Sequence, residues 1–221
     1  MTRYGCLLGL ALALFAPFSS VRADDTEHRE YSIFVDEKNA GTSRVTIQQK
    51  DDGSSYMTGS LDVKFRHLLV TEYSIKIETQ EWWKDGRLIG MKTKTNDNGK
   101  KSDVTVGLDG TQLRLSVNGA NRVIKPEIWT NSYWKLADKR FHNNAVPILE
   151  VDSGKEYTCE LKYIGTRSLK IGNDTQDCYH FRVSSAPGPI DLWFDRYHRL
   201  VRQEFTESGH KTVVQLNNIR R

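Results

Sequence analysis

Few residues in this chain have the types and spacing that chemistry requires. Three histidines, His142, His180 and His198, could gather as metal ligands, although none is spaced as a recognisable ligand set. Asp191 and Asp195 fall on one side of a regular strand, so two carboxylates could share acid–base work. Asp195 has a plainer role as a turn residue, accepting from backbone N–H groups two residues on. His180, Asp191 and His198 together outline the one constellation a hydrolase could use. There is no Gly-x-Ser-x-Gly, no His-Glu-x-x-His and no phosphate-binding glycine loop. The sequence therefore gives no expectation of catalytic residues, metal ligands or a cofactor.

The aromatic residues carry more weight. Trp82, Trp83, Trp129, Trp134 and Trp193 stand at strand ends and in one irregular stretch. Each combines a large apolar face with an N–H that needs a partner. They either fill the interior as core or line an apolar pocket.

The elements that must position these groups are strands. Tyr31, Ile33 and Val35 alternate with polar residues, as do Met57, Gly59, Leu61, Val63 and Phe65, and then Tyr73, Ile75 and Ile77. Such alternation belongs to an antiparallel sheet with one apolar and one wet face. Turns are expected at Asn39-Ala40-Gly41, Asp51-Asp52-Gly53, Lys84-Asp85-Gly86, Asn96-Asp97-Asn98-Gly99, Asp109-Gly110, Asn118-Gly119 and Glu207-Ser208-Gly209. About a dozen short strands follow. Residues 126–147 interrupt the rhythm. There Tyr133, Leu136, Ala137, Arg140 and Phe141 fall at helical spacing, with Asn131 or Ser132 as cap, which predicts one short helical insert. The fold class is all-β: a single curved antiparallel meander forming a half-open or closed barrel, with that insert across one opening.

Residues 1–23 read as a secretory signal peptide. Arg3 leads an apolar core too short to span a bilayer, and Val21-Arg22-Ala23 gives the cleavage site. Residues 24–221 then form one domain of 198 residues, and losing Arg3 and Arg22 lowers the net charge from +4 to +2. That balance does not suggest nucleic acid as a partner. No later apolar run could cross a membrane. The expected location is periplasmic or secreted. In such a compartment Cys159 and Cys178 form an even pair that suggests a disulfide. Strand parity speaks against it, since Cys159 alternates with Tyr157 and Leu161 whereas Cys178 alternates with His180 and Arg182. A bulge or turn near Gly172-Asn173-Asp174 could repair the parity, and the secreted context weighs more, so the disulfide is expected.

Trp193, Phe194, Asp195, Leu200 and Val201 form a Trp-(Phe/Tyr)-Asp…Leu-Val motif, and Thr130, Ser132 and Trp134 form Thr-x-Ser-x-Trp. With these motifs the chain resembles a group of secreted bacterial families of unknown function. In place of those families' glycine near 197 or 198 stands Tyr197-His198. The resemblance implies a long curved sheet, a half-barrel similar to that of the periplasmic lipoprotein-localisation carriers. It brings no catalytic residues.

A curved sheet with a continuous apolar face must hide that face, and one short insert hides little of it. The expected function is a non-catalytic binding or carrier protein for an apolar ligand: an acyl chain, a lipid or a lipidated partner. The expected lining is Phe65, Tyr73, Ile75, Ile77, Trp83, Trp134 and Trp193. The alternatives are a structural or assembly partner of the cell envelope, its barrel filled, and an envelope hydrolase.

Overall fold

The computed structural model describes residues 25–67, 71–172, 174–184 and 188–221. The signal peptide expected at 1–23 lies outside the described residues. The strands are β1 (Asp25–Val35), β2 (Lys38–Gln49), β3 (Ser54–His67), β4 (Thr71–Lys84), β5 (Arg87–Asp97), β6 (Lys100–Asp109), β7 (Gln112–Val117) and β8 (Ala120–Ile124). They continue as β9 (Trp129–Thr130), β10 (Asn144–Leu149), β11 (Glu156–Ile171), β12 (Asp174–Ser184), β13 (Ile190–Phe194), β14 (Leu200–Glu207) and β15 (His210–Arg220).

All fifteen belong to one sheet, ordered β8-β7-β6-β5-β4-β3-β2-β1-β15-β14-β13-β12-β11-β10-β9. Every pairing is antiparallel except β9 with β10. The meander thus runs outward to β8, and the chain then restarts at the opposite edge, β9. Only residues 125–128 join these edges, so the sheet is rolled but not closed. Side chains bridge the seam instead of a backbone ladder. Arg122 of β8 donates to the Gly154 carbonyl at 2.6 Å and pairs with Glu156 of β11. At Gly154, φ is +70° and an added Cβ would meet the Val117 methyl at 2.5 Å, so close approach at the seam requires glycine.

Two-residue turns with positive φ connect the hairpins, at Asp85-Gly86, Asn98-Gly99, Asn118-Gly119 and Ser208-Gly209. The first turn is a correction. It falls at Asp36-Glu37, not at Asn39-Ala40-Gly41. Gly41 lies within β2, where a Cβ would stand 2.1 Å from the Asp62 carbonyl oxygen, so this glycine marks strand contact and not a turn.

The helical insert is reduced to a single 3-10 turn, Lys139–Phe141, capped by Asp138 and not by Asn131 or Ser132. The rest of the segment is extended or irregular because its apolar residues point separately into the interior. Ile128, Trp129, Tyr133, Trp134, Leu136 and Ala137 all join the main core, with Leu88, Met91, Val104, Leu115, Ile148, Leu161, Phe181 and Phe194. This flap plugs the barrel interior at one end.

The cysteine pair is also corrected. Cys159 and Cys178 are both free and buried. Cys159 sits in the main core, and Cys178 in a smaller cluster with Tyr31, Val201 and Leu216. Cys178 pairs in register with Arg167, eight positions along β11 from Cys159, or roughly 26 Å at strand rise. No bridge spans that distance.

Candidate functional site

The flap fills one end of the barrel and leaves the other hollow. At the hollow end an open cavity of about 1300 Å3 lies against the concave face of β1 to β4, β14 and β15. Its walls are the inward residues of these strands: Ile33 and Val35, Leu61 and Val63, Ile75 and Ile77, Phe205 and Val214. Their arrangement follows from register, since Leu61 pairs with Ile77, Val63 with Ile75 and Ile33 with Val214. Val45, Leu61, Phe65, Ile75, Ile77, Phe205 and Val214 are only half-buried, so apolar wall is left facing space. The rim is polar and carries both charges, with Asp97, Lys100, Lys101, Glu150, Asp152 and Glu207. Burial pushes the Tyr73 hydroxyl up to about 12 and raises the Asp152 carboxyl.

Five of the seven expected lining residues stand on this cavity: Phe65, Tyr73, Ile75, Ile77 and Trp134. Two do not. Trp83 shares the inward face of β4 with Ile75 and Ile77 but lies further along it, inside the packed core and 3% exposed. Trp193 occupies the other face. In β13 the inward residues are Ile190, Leu192 and Phe194, while Trp193 pairs with Arg202 and stacks on His180 at 4.4 Å. Tyr31, Ile33, Val35, Leu61, Val63 and Val214 were missing from the expected lining, although the same alternation places them on it.

The floor between cavity and flap is built on one buried carboxylate. Glu81 of β4 is fully buried on the apolar side of the strand. Its Oε2 accepts from the Trp83 indole N–H at 2.8 Å, from the Trp134 indole N–H at 3.1 Å and from the Thr130 hydroxyl at 3.1 Å. The Ser132 hydroxyl lies 2.8 Å from that of Thr130. Thr-x-Ser-x-Trp is therefore a set of donors at i, i+2 and i+4 that gathers around one acceptor. Burial raises the Glu81 pKa, and these donors only partly offset it. Glu81 Oε1 has no partner among the described residues.

A second set of contacts holds the flap from the opposite side. Arg29 of β1 donates to the Trp134 carbonyl and to Glu27 at 2.7 Å. Arg199 pairs with Glu27 at 3.0 Å and with Asp195 at 2.6 Å, and the Leu136 N–H donates to the His198 carbonyl. Burial pushes the Glu27 carboxyl up, but Arg29 and Arg199 outweigh it and hold the group below its ordinary value. Asp195 is the turn residue its position implied, accepting from the Tyr197 and Arg199 N–H groups at 2.9 and 3.0 Å. His198 has φ +61°, so it occupies the left-handed position where the resembling families carry glycine nearby.

The candidate hydrolase residues separate. His180 Nε2 donates to Asp191 at 2.7 Å, and Arg182 clamps the same carboxylate at 2.9 and 3.0 Å, on the face of β12 and β13 away from the core. Burial raises Asp191, yet Arg182 and His180 prevail and keep it low. His198 instead borders a recess of about 750 Å3 beneath the flap, with His142. Among the described residues no group of three His, Cys, Asp or Glu side chains could hold a metal ion, and no helix is long and apolar enough to cross a membrane.

The chain is similar to the crystal structure of a beta-barrel-like protein of domain of unknown function DUF1849 from Brucella abortus. The TM-score is 0.61 at 8% identity, covering 88% of this chain and 96% of that one. A LolA superfamily protein from Nitrosomonas europaea superposes less well, at a TM-score of 0.31 and 9% identity over 90% of this chain and 87% of that one. No curated protein matches. The model of a domain of unknown function, DUF6134, matches residues 31–217, and the chain belongs to that family.

Proposed function

We propose that this protein is a non-catalytic binding or carrier protein for an apolar ligand, an acyl chain, lipid or lipidated partner, working in the periplasm or outside the cell. The observation that carries the proposal is the hollow end of the rolled sheet. About 1300 Å3 of open space faces half-buried Ile, Leu, Val and Phe side chains. Water gains little from such walls, and transferring apolar surface onto them is favourable by about 25 cal/mol per Å2. The volume exceeds the roughly 300–1000 Å3 of pockets for drug-sized ligands, which suits a long or branched chain. The mixed-charge rim favours a polar head left at the opening. A filled barrel serving only as an assembly partner would leave no such space. The separation of His198 from His180 and Asp191 removes the constellation on which the hydrolase reading rested.

Secretion rests on the leader-like sequence of residues 1–23. The test is incubation with bacterial lipid extract followed by native mass spectrometry. Retained lipid at one ligand per chain is the expected result. No retained lipid, with no displacement of a fluorescent fatty-acid probe, overturns the reading.

A further inference from the structure

The recess beneath the flap is separated from the apolar cavity by Trp134, which borders both. Its character is different. Three of the four large aromatic side chains left exposed among the described residues meet here: Tyr163 from β11, Tyr179 from β12 and Tyr197 from the β13–β14 turn, 40%, 36% and 56% exposed. Tyr163 and Tyr179 share a face, since Tyr163 pairs with Phe181 and Tyr179 lies two positions before it. The recess floor carries Lys135. Its ammonium rests 4.9 Å from the ring centres of both Trp83 and Trp134 and forms no ion pair among the described residues. Lys139, at the rim, forms none either. Asp138, the one carboxylate bordering the recess, is occupied capping the 3-10 turn and accepting from Arg140.

We infer that this recess is a second binding site, for a sugar that bears a carboxylate. The C–H faces of a pyranose are apolar and slightly positive, and they complement the negative ring faces of Tyr163 and Tyr179. Tyr197, its ring already under the Arg196 and Arg199 guanidinium groups at 4.9 and 4.7 Å, closes the side of the recess. Lys135 makes no direct ion pair among the described residues; burial disfavours its charge, and the carboxylates of Glu81 and Asp138 act on it only at longer range, so a ligand carboxylate in direct contact would favour the charged form. Gln49 and Asn143, on the wall, supply amide groups for hydroxyls. The recess volume lies within the range of small-ligand pockets. A membrane surface fits worse: the site is concave, and its exposed aromatics are tyrosines with no tryptophan, phenylalanine or leucine protruding.

The experiment is calorimetric titration of the full protein, after removal of residues 1–23, with three probes: tetragalacturonate, soluble peptidoglycan fragments bearing the lactyl carboxylate, and neutral chitotetraose. Either acidic probe is expected to bind at least tenfold more tightly than the neutral one, with affinity falling as salt is raised. Whichever acidic probe binds identifies the source. Lys135→Met is expected to remove that preference, and Tyr179→Ala to weaken all binding at least fivefold. Both variants should keep fatty-acid probe binding in the other cavity. If Lys135→Met disturbs the flap, Lys139→Gln, on the exposed rim, is the second variant and should lower acidic-probe affinity alone. Equal affinity for neutral and acidic sugars, no sugar binding, or binding to anionic lipid vesicles without sugar binding overturns the inference. Sugar binding without lipid binding would reject the carrier reading and leave this one standing.

Discussion

Trp134 donates its indole N–H to Oε2 of Glu81 across 3.1 Å, joining a flap residue to a sheet residue 53 positions earlier. The contact is buried, shared with Trp83 and Thr130, and stands at the boundary between packed core and open cavity. Both the plug and the hollow depend on it. If the flap lifted, the core it covers would be exposed and the cavity would lose its floor.

Replacing Glu81 should therefore distinguish an acceptor from an empty space. Glu81→Gln keeps a carbonyl oxygen for the three donors and is expected to stay within about 1 kcal/mol of the native stability. Glu81→Ala leaves two indole N–H groups buried without an acceptor, the Thr130 hydroxyl retaining only Ser132, and is expected to cost about 3 kcal/mol or more. Chemical denaturation of both variants checks this.

The same residue sets a pH dependence. Its folded pKa is raised above the ordinary carboxylate value of 4.5 by burial. A raised acid binds its proton more tightly in the folded state, so its contribution is full below about 4.5 and is lost as pH rises through the folded value. Glu27 and Asp191 act in the opposite sense, since both are lowered: their contribution is full above their ordinary values and is lost as pH falls through the folded ones. Stability measured from pH 4 upward should fall less steeply for Glu81→Gln than for the native chain, by an amount absent from a Glu27→Gln control.

The thiols give a plain chemical result. Burial pushes both Cys159 and Cys178 up to about 11, so neither should react quickly in the folded protein near neutral pH. Unfolded without reductant, the chain lacking residues 1–23 is expected to titrate two thiols, and reductant should leave its melting temperature unchanged.

Asp195 and Arg199 form a pair within the turn that supports the flap. Asp195→Ala leaves Arg199 with Glu27 as its remaining carboxylate and two backbone N–H groups without their acceptor, and is expected to cost about 2–3 kcal/mol. His198→Gly relieves a left-handed backbone position and should stabilise the chain by about 1 kcal/mol, read from a denaturation midpoint.

Much of this architecture was legible in the residues. Strict alternation in β3 and β4 specified the apolar wall, and most glycine-bearing turns fell where Asp-Gly and Asn-Gly pairs stood. The turn at Asp36-Glu37 was hidden because Glu37 stands where the other two-residue turns carry glycine, while the nearby Gly41 serves strand contact. The flap mimicked a helix because apolar residues at spacings of three and four also arise when an irregular segment drops side chains one by one into a core. Tyr133, at φ +47°, breaks any helix there. Trp193 was misplaced by attention to its type over its parity, which sets it with Asp191 and against Leu192. Glu81 was overlooked for the same reason. It follows Ile75, Ile77 and Thr79 on the apolar parity of β4, a signal that a carboxylate was headed inward and needed the donors that Thr130 and Trp134 provide.

Ile77 offers the most direct test of the cavity itself. It is half-buried in the wall with open space before it, so Ile77→Trp should fill part of the hollow without disturbing the flap. Titration of a fluorescent long-chain fatty acid is expected to show saturable binding to the native protein, competed by unlabelled fatty acid, and affinity at least tenfold lower for Ile77→Trp at unchanged stability. Absence of saturable binding, or equal affinity in the two proteins, would contradict the carrier account.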